Sequence, residues 1–205
     1  SQLAGVRKQG IEMALVVGAG NIFRGARNVF SEIRQTTADD MGMLGTLINS
    51  LALAEYIVAE GVPATVLSAV EAPKIAERFT VRRARALLDE GQLLLLAGGT
   101  GNPFFTTDTA AALRACELDA DVLLKATNVD GVYSADPSSN PEATRYDRLD
   151  YQTVLRENLG VMDAAAVALC RQAAIPIFVF NLGRPGEIQK AIRGEALGTL
   201  VGGDR

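Results

Sequence analysis

Five short, almost wholly apolar runs constrain this chain most: Met13–Val17, Ala64–Leu67, Leu93–Ala97, Val122–Ala126 and Ile175–Phe180. Each has the length of a strand and lacks the polar alternation of a half-exposed one, so each suits a sheet covered on both faces. Helical patterns lie between them. Leu44, Leu47, Ile48, Leu51 and Val58 form one stripe, and Met162, Ala166, Leu169, Cys170 and Ala173 form another. Pro185-Gly186 predicts a last helix running to about Arg193, and Gly198–Val201 a final short strand. The pattern predicts an α/β fold: a doubly wound, mainly parallel sheet with helices on both faces. Met41 and Met43, on the first stripe, are assigned to the core. With 205 residues, 48% of them hydrophobic, the chain is long enough for one sizeable core, and a single domain over 1–205 is expected.

Charge and composition exclude several function classes. A formal net charge of −4, with no Lys/Arg-rich run carrying interleaved aromatics, argues against a nucleic-acid partner. No apolar stretch is expected to reach the roughly 18 residues that span a bilayer. The opening residues Ser1 to Arg7 lack the apolar segment of a signal peptide, so we expect a cytoplasmic protein without a membrane partner. Histidine is absent, which removes Ser-His-Asp and Cys-His catalysis and the usual His-containing zinc sites. Cys116 and Cys170 form no CxxC and are expected to be small buried apolar residues. Phosphoryl transfer needs no histidine, since it depends on positioning and on neutralising charge.

In open parallel sheets, ligands sit beyond the carboxyl ends of the strands. Three loops there are unusual. The first is Gly18-Ala19-Gly20-Asn21-Ile22-Phe23-Arg24-Gly25, whose glycines let backbone N–H groups approach an anion and whose Arg24 brings a planar fork of donors. It is neither GxGxxG nor the Walker loop GxxxxGK[ST]. The second is Thr100-Gly101-Asn102-Pro103-Phe104-Phe105-Thr106-Thr107-Asp108, in which Thr107 and Asp108 are candidate N-caps and the helix start offers unpaired N–H groups to an anion. The third runs from Lys125 to Pro137. There Tyr133 suits a base, Asp136 ribose hydroxyls and Thr127 a phosphate or base, although a hairpin with ordinary capping uses the same residues. Lys125 adds a charge at the strand end. Ser138-Ser139-Asn140-Pro141 reads as a surface loop.

Together with Asp39-Asp40-Met41-Gly42-Met43-Leu44, these blocks occur in an order that resembles the bacterial UMP kinases of the amino acid kinase superfamily, over essentially the full chain. The resemblance implies a three-layer sandwich and the ATP-dependent phosphorylation of UMP to UDP. It places Thr100 to Thr107 around the uridine, with Thr100, Asn102 and Thr107 on the base and Gly101, Pro103, Phe104, Phe105 and Thr106 in the same wall. Asp39 falls on the ribose hydroxyls and Ala19 in the UMP-phosphate loop. Gly20, Arg24, Thr127, Tyr133 and Asp136 fall on the ATP side. Arg24 and Asp108 take catalytic places, Asp108 orienting the phosphate-binding groups and Mg²⁺.

The resemblance also implies a homohexamer, with the Met41–Val58 helix suited to a subunit contact, and control by GTP and UTP. Two departures go with it. The family's first strand and its Lys-x-Ser-Gly loop are missing from the sequence before Ser1, and we expect that unit upstream. The chain then starts inside the first helix, which Gly10 ends. Alanine stands at position 19 where glycine is usual, which costs on the order of 1 kcal/mol if that backbone needs positive φ. Two other readings stay open: a superfamily kinase acting on a small carboxylate or carbamate, and a nucleotide-binding module without turnover.

Overall fold

The computed structural model describes residues 2–23, 32–183, 186–195 and 197–202. Each apolar run becomes a strand: β1 (Ala14–Val16), β2 (Ala64–Ser68), β4 (Leu93–Ala97), β5 (Leu123–Thr127) and β7 (Ile177–Asn181), followed by β8 (Gly198–Val201). Two two-residue strands have no apolar run to announce them, β3 (Glu77–Arg78) and β6 (Arg148–Leu149). The helices are α1 (Gln2–Arg7), α2 (Gln35–Ala59), α3 (Val81–Asp89), α4 (Thr107–Glu117), α5 (Tyr151–Arg156), α6 (Ala164–Ala173) and α7 (Glu187–Ile192). Arg7 ends α1, and Gly10 turns the chain at φ +85°, as expected of a helix stop.

Among the described residues the strands fall into two four-stranded sheets, ordered β1-β4-β2-β3 and β5-β7-β8-β6. The chain accordingly packs as two compact units, Leu3–Ala111 and Ala112–Arg205. In the first, all strands run parallel, so the loops after β1, β2 and β4 leave from one edge. Every residue of β4 is buried. Leu93, Leu95 and Ala97 meet Leu47, Ala54 and Ile57 of α2, while Leu94 and Leu96 alternate to the other face, where α3 packs on β4 with Ala84 and Leu87 buried. In the second unit β5 and β7 are parallel and β8 returns antiparallel to β7, which brings the start of β8 to the edge where β5 and β7 end. The sheets are thus mainly parallel.

Several local expectations need correction. Met41 is 39% exposed, and Leu44 and Ile48 are more so, because α2 is apolar all round and its stripe is wider than the face that meets the sheet. For the same reason α2 is, by length and composition, long and apolar enough to cross a membrane, against the expectation that no such stretch existed. Its buried face is committed to β2 and β4. Cys170 is fully buried and burial pushes its thiol up to about 12. Cys116 is only half-buried, its thiol donating to Leu169 O at 3.7 Å, and burial raises it as well. Neither is poised as a nucleophile at neutral pH.

Gly98, where β4 leaves the sheet, has φ +78°, and a Cβ there would stand 2.8 Å from the Val70 backbone nitrogen. Gly98→Ala should therefore destabilise the protein by at least about 1–2 kcal/mol, seen as a lower urea midpoint at unchanged m.

Candidate functional site

The edge of the first sheet gathers three of the four blocks that the sequence singled out, those around Gly18, Asp39 and Thr100–Asp108. The turn after β1 is closed by Ala19 O, which accepts from the N–H groups of Ile22 and Phe23, both at 2.8 Å. Helix α2 grips this turn at two places one helical turn apart. Asn49 donates to Gly18 O (2.8 Å) and exchanges side-chain amide bonds with Asn21 (2.7 and 3.1 Å). At Gly45, an added Cβ would stand 2.8 Å from Ala19 Cβ, so the buried methyl of Ala19 lies against bare helix backbone. Ala19 is not among the residues at positive φ, so alanine carries no backbone strain at that position.

Strand β4 runs into glycines with φ of +78° at Gly98, +57° at Gly99 and +81° at Gly101. The buried N–H of Gly98 donates to Thr46 Oγ1 of α2 (2.8 Å). Thr100 Oγ1 accepts from Asn102 N and donates to Asn102 O, both at 3.2 Å, a hydroxyl-closed turn that projects Asn102 into solvent. Phe104 follows with φ 70°, unusual for a side chain of that size, and is 74% exposed. Its N–H donates to Asp39 Oδ2 at 2.9 Å, and Gln35 Nε2 donates to the other carboxylate oxygen at 2.8 Å. Asp39 therefore holds the loop in a conformation that costs on the order of 1–2 kcal/mol.

Helix α4 begins at this loop, but its cap is Thr106 rather than Thr107 or Asp108. Thr106 Oγ1 accepts from the N–H groups of Asp108 (3.1 Å) and Thr109 (3.2 Å), and its carbonyl accepts from Ala110 (3.0 Å). The expected unpaired N–H groups at Asp108 and Thr109 are thus already satisfied. Thr107 turns towards the glycine loop, since a Cβ on Gly18 would stand 3.5 Å from Thr107 Oγ1. Asp108 is half-buried in the first turn, and Pro103 is half-buried beside exposed Phe105. Ala19, Asp39 and Thr100 to Asp108 are brought together, and Gly20 lies exposed on the same turn. Arg24 and Gly25 lie outside the described residues, as does Pro185.

The second sheet carries the third loop. Thr127 Oγ1, at the end of β5, accepts from Val129 N (3.0 Å) and donates to Val129 O (2.7 Å). Tyr133 is half-buried and bridges antiparallel to Arg145, so the segment does form a hairpin-like excursion. Asp136 is exposed and accepts from the hydroxyl (2.6 Å) and N–H (2.8 Å) of Ser138, which hold its carboxyl below the usual range. That contribution to the turn is present above the ordinary carboxylate pKa and is lost as pH falls through the lowered value. The Ser138–Pro141 stretch is exposed, as expected of a surface loop. Lys125 is half-buried on β5, in register with Val179.

Sequence reasoning missed the supports of these loops: Gly45, Thr46 and Asn49 in unit one, Asn181 and Thr199 in unit two. The available signal was weak, a glycine and an asparagine at i, i+4 inside an otherwise apolar helix.

A parallel sheet whose carboxyl edge carries glycine turns and polar loops defines an α/β protein of the kind that binds its ligands at that edge. The chain belongs to the amino acid kinase family, which it matches over residues 1–181. Within that family its likeness is to the uridylate kinases. It is 52% identical over 200 residues to the uridylate kinase of Azorhizobium caulinodans, covering 98% of this chain and 84% of that one. Among solved structures, the UMP kinase of Bacillus anthracis superposes with a TM-score of 0.95 at 38% identity, covering 100% of this chain and 84% of that one. The UMP kinase of Ureaplasma parvum gives 0.94 at 35% identity, with 98% and 86% covered.

The Ala19–Gly45 contact makes a sharp test. Gly45→Ala alone should destabilise by about 1 kcal/mol or more despite alanine's better helix propensity. Adding Ala19→Gly should return stability close to the parent's, a coupling of about 1–3 kcal/mol in a denaturant double-mutant cycle.

Proposed function

We propose that this protein is an ATP-dependent UMP kinase, transferring the γ-phosphoryl group of ATP in line to the phosphate of UMP and giving UDP and ADP. The observation that carries the reading is the Asp39 carboxylate bound to Phe104 N–H, which joins the α2 block to the Thr100–Asp108 block. Those are the two blocks that resemblance assigns to the acceptor. Thr100, Asn102 and Thr107 read the base, the wall from Gly101 through Thr106 encloses it, and Asp39 meets the ribose. Ala19 sits at the UMP phosphate, and Gly20 with Arg24 at the phosphates of ATP. Thr127, Tyr133 and Asp136 take the nucleoside end of ATP. The exposed Phe104 and Phe105, apolar surface beside polar side chains, suit a nucleoside face.

The chemistry asks little of the protein beyond placement. The phosphate of UMP is largely ionised at neutral pH and is itself the nucleophile, so no general base is needed, in keeping with a chain that has no histidine. Arg24 neutralises charge spreading over the equatorial oxygens, and Asp108 orients the groups around it. Among the described residues no cluster of three or more metal-binding side chains occurs. A half-buried carboxylate, Asp108, fits an ion such as Mg²⁺ that is held mainly by substrate phosphates. When bound, Mg²⁺ supplies charge neutralisation at those phosphates.

One amino acid kinase-like domain remains our reading of residues 1–205, supported by a family match that crosses the boundary between the two compact units. We also place the protein in the cytoplasm as a homo-oligomer, a hexamer by resemblance. The exposed Leu44, Ile48, Tyr56 and Val58 of α2 supply an apolar face for the subunit contact. Control by GTP and UTP rests on the family resemblance alone.

A coupled assay of the full-length protein with UMP, CMP and dTMP should show a clear preference for UMP; equal use of the three would overturn the reading. Arg24→Ala should cut kcat by about 100-fold or more with little change in thermal stability. Asp39→Asn should raise KM for UMP roughly ten-fold while KM for ATP holds. Equal loss of both would remove Asp39 from the acceptor pocket.

A further inference from the structure

Asparagine 181 ends β7 beside Thr127, with which it is in register, and Leu182 N donates to Thr127 O at 2.9 Å. All three polar functions of its side chain are engaged. Nδ2 donates to Asn128 O (3.3 Å) and to Asp130 Oδ1 (3.0 Å), and Oδ1 accepts from Gly183 N (2.7 Å). Two of these bonds grip the turn between Thr127 and Tyr133, and the third fixes the amide plane so that Nδ2 faces that turn. The bond to Asp130 is charge-assisted, the stronger kind.

A second anchor holds the other end of the same turn. Buried Thr199, at the start of β8, accepts from Val132 N at 2.8 Å and donates to Tyr146 O at 2.5 Å. Gly131 fits between because a Cβ there would stand 2.6 Å from Thr199 Oγ1. The antiparallel return of β8 is what brings this threonine to the carboxyl end of β5. The turn is therefore tied at both ends by side chains from strands that carry none of the nucleotide-facing groups.

We propose that Asn181 is a positioning residue for the donor nucleotide: it presets the Asn128–Asp130 turn so that Thr127 and Tyr133 stand ready for ATP. This rests on the assignment of those two residues to ATP. A loop ordered before binding need not be ordered by the ligand, so losing the anchor appears as weaker ATP binding and not as slower chemistry.

The test uses steady-state kinetics of the full-length enzyme, with Tyr133→Ala as the check on the underlying assignment. Asn181→Ala should raise KM for ATP roughly ten-fold, the worth of one to two such bonds, and leave KM for UMP within about two-fold of the parent. Asn181→Asp turns the donor into an acceptor facing Asp130 and should raise KM for ATP likewise. Adding Asp130→Asn restores that donor–acceptor pair with the roles exchanged and should recover part of the loss, since the bond to Asn128 O is not remade. If Asn181→Ala does not fold, the Asn181→Asp variant and its double carry the same test.

If Tyr133→Ala raises KM for ATP but neither Asn181 variant does, the positioning role is wrong and the ATP assignment stands. If Tyr133→Ala leaves KM for ATP unmoved, the assignment fails and takes the proposal with it. Equal rises in both KM values, or no recovery in the double variant, would reduce Asn181 to a structural residue and overturn the proposal.

Discussion

The site depends on the burial of one strand. Each residue of β4 is covered, hydrogen-bonded to β1 on one side and β2 on the other, with α2 and α3 on its faces. Its four leucines are each worth about 2 kcal/mol on transfer from water. A parallel sheet sends every strand of the unit in the same direction, so the loops that follow have one exit. Polar chain leaving a fully apolar strand must turn within a few residues and satisfy its own backbone. Gly98, Gly99 and Gly101 make that turn possible, and the hydroxyls of Thr46, Thr100 and Thr106 accept the N–H groups it exposes.

The parts of the fold legible in the sequence were those written in a continuous local signal. Leu93–Ala97 could hardly be anything but a buried strand, and Gly10 stopped a helix where it was expected to. The two-residue strands β3 and β6 carry charged residues and no apolar run, so nothing local marks them. Met41 was misplaced because a helix apolar all round has no single face that periodicity can assign. At α4 the sequence offers Thr106, Thr107 and Asp108 in a row, all capable of capping, and only the three-dimensional path of the loop chooses the first.

The same contrast holds in the site. The candidate site residues stand in conspicuous motifs, and Asp39, which holds one of them, shares that visibility, but Asn49, Asn181 and Thr199 do not. Asn49 meets Gly18 across 31 residues, Asp39 meets Phe104 across 65 and Thr199 meets Val132 across 67. Nothing in the local composition of a helix or a strand end specifies such a partner. Both units nonetheless use one device, a side-chain amide that grips a loop carbonyl and steadies itself on a second side chain. Asn49 does this with Gly18 and Asn21, and Asn181 with Asn128 and Asp130. The loops are held by the protein's own side chains.

The methyl of Ala19, seated on the bare backbone of Gly45, has a consequence for how such chains diverge. The space between the glycine loop and α2 holds one methyl group, and either partner can supply it. With glycine at the first position, alanine in the helix meets no close contact, whereas with alanine there, as here, the same step meets a methyl group and costs about 1 kcal/mol or more. The two positions, 26 apart in a chain of 205 residues, are thereby bound into one unit of inheritance, in which the order of two substitutions decides which paths stay open.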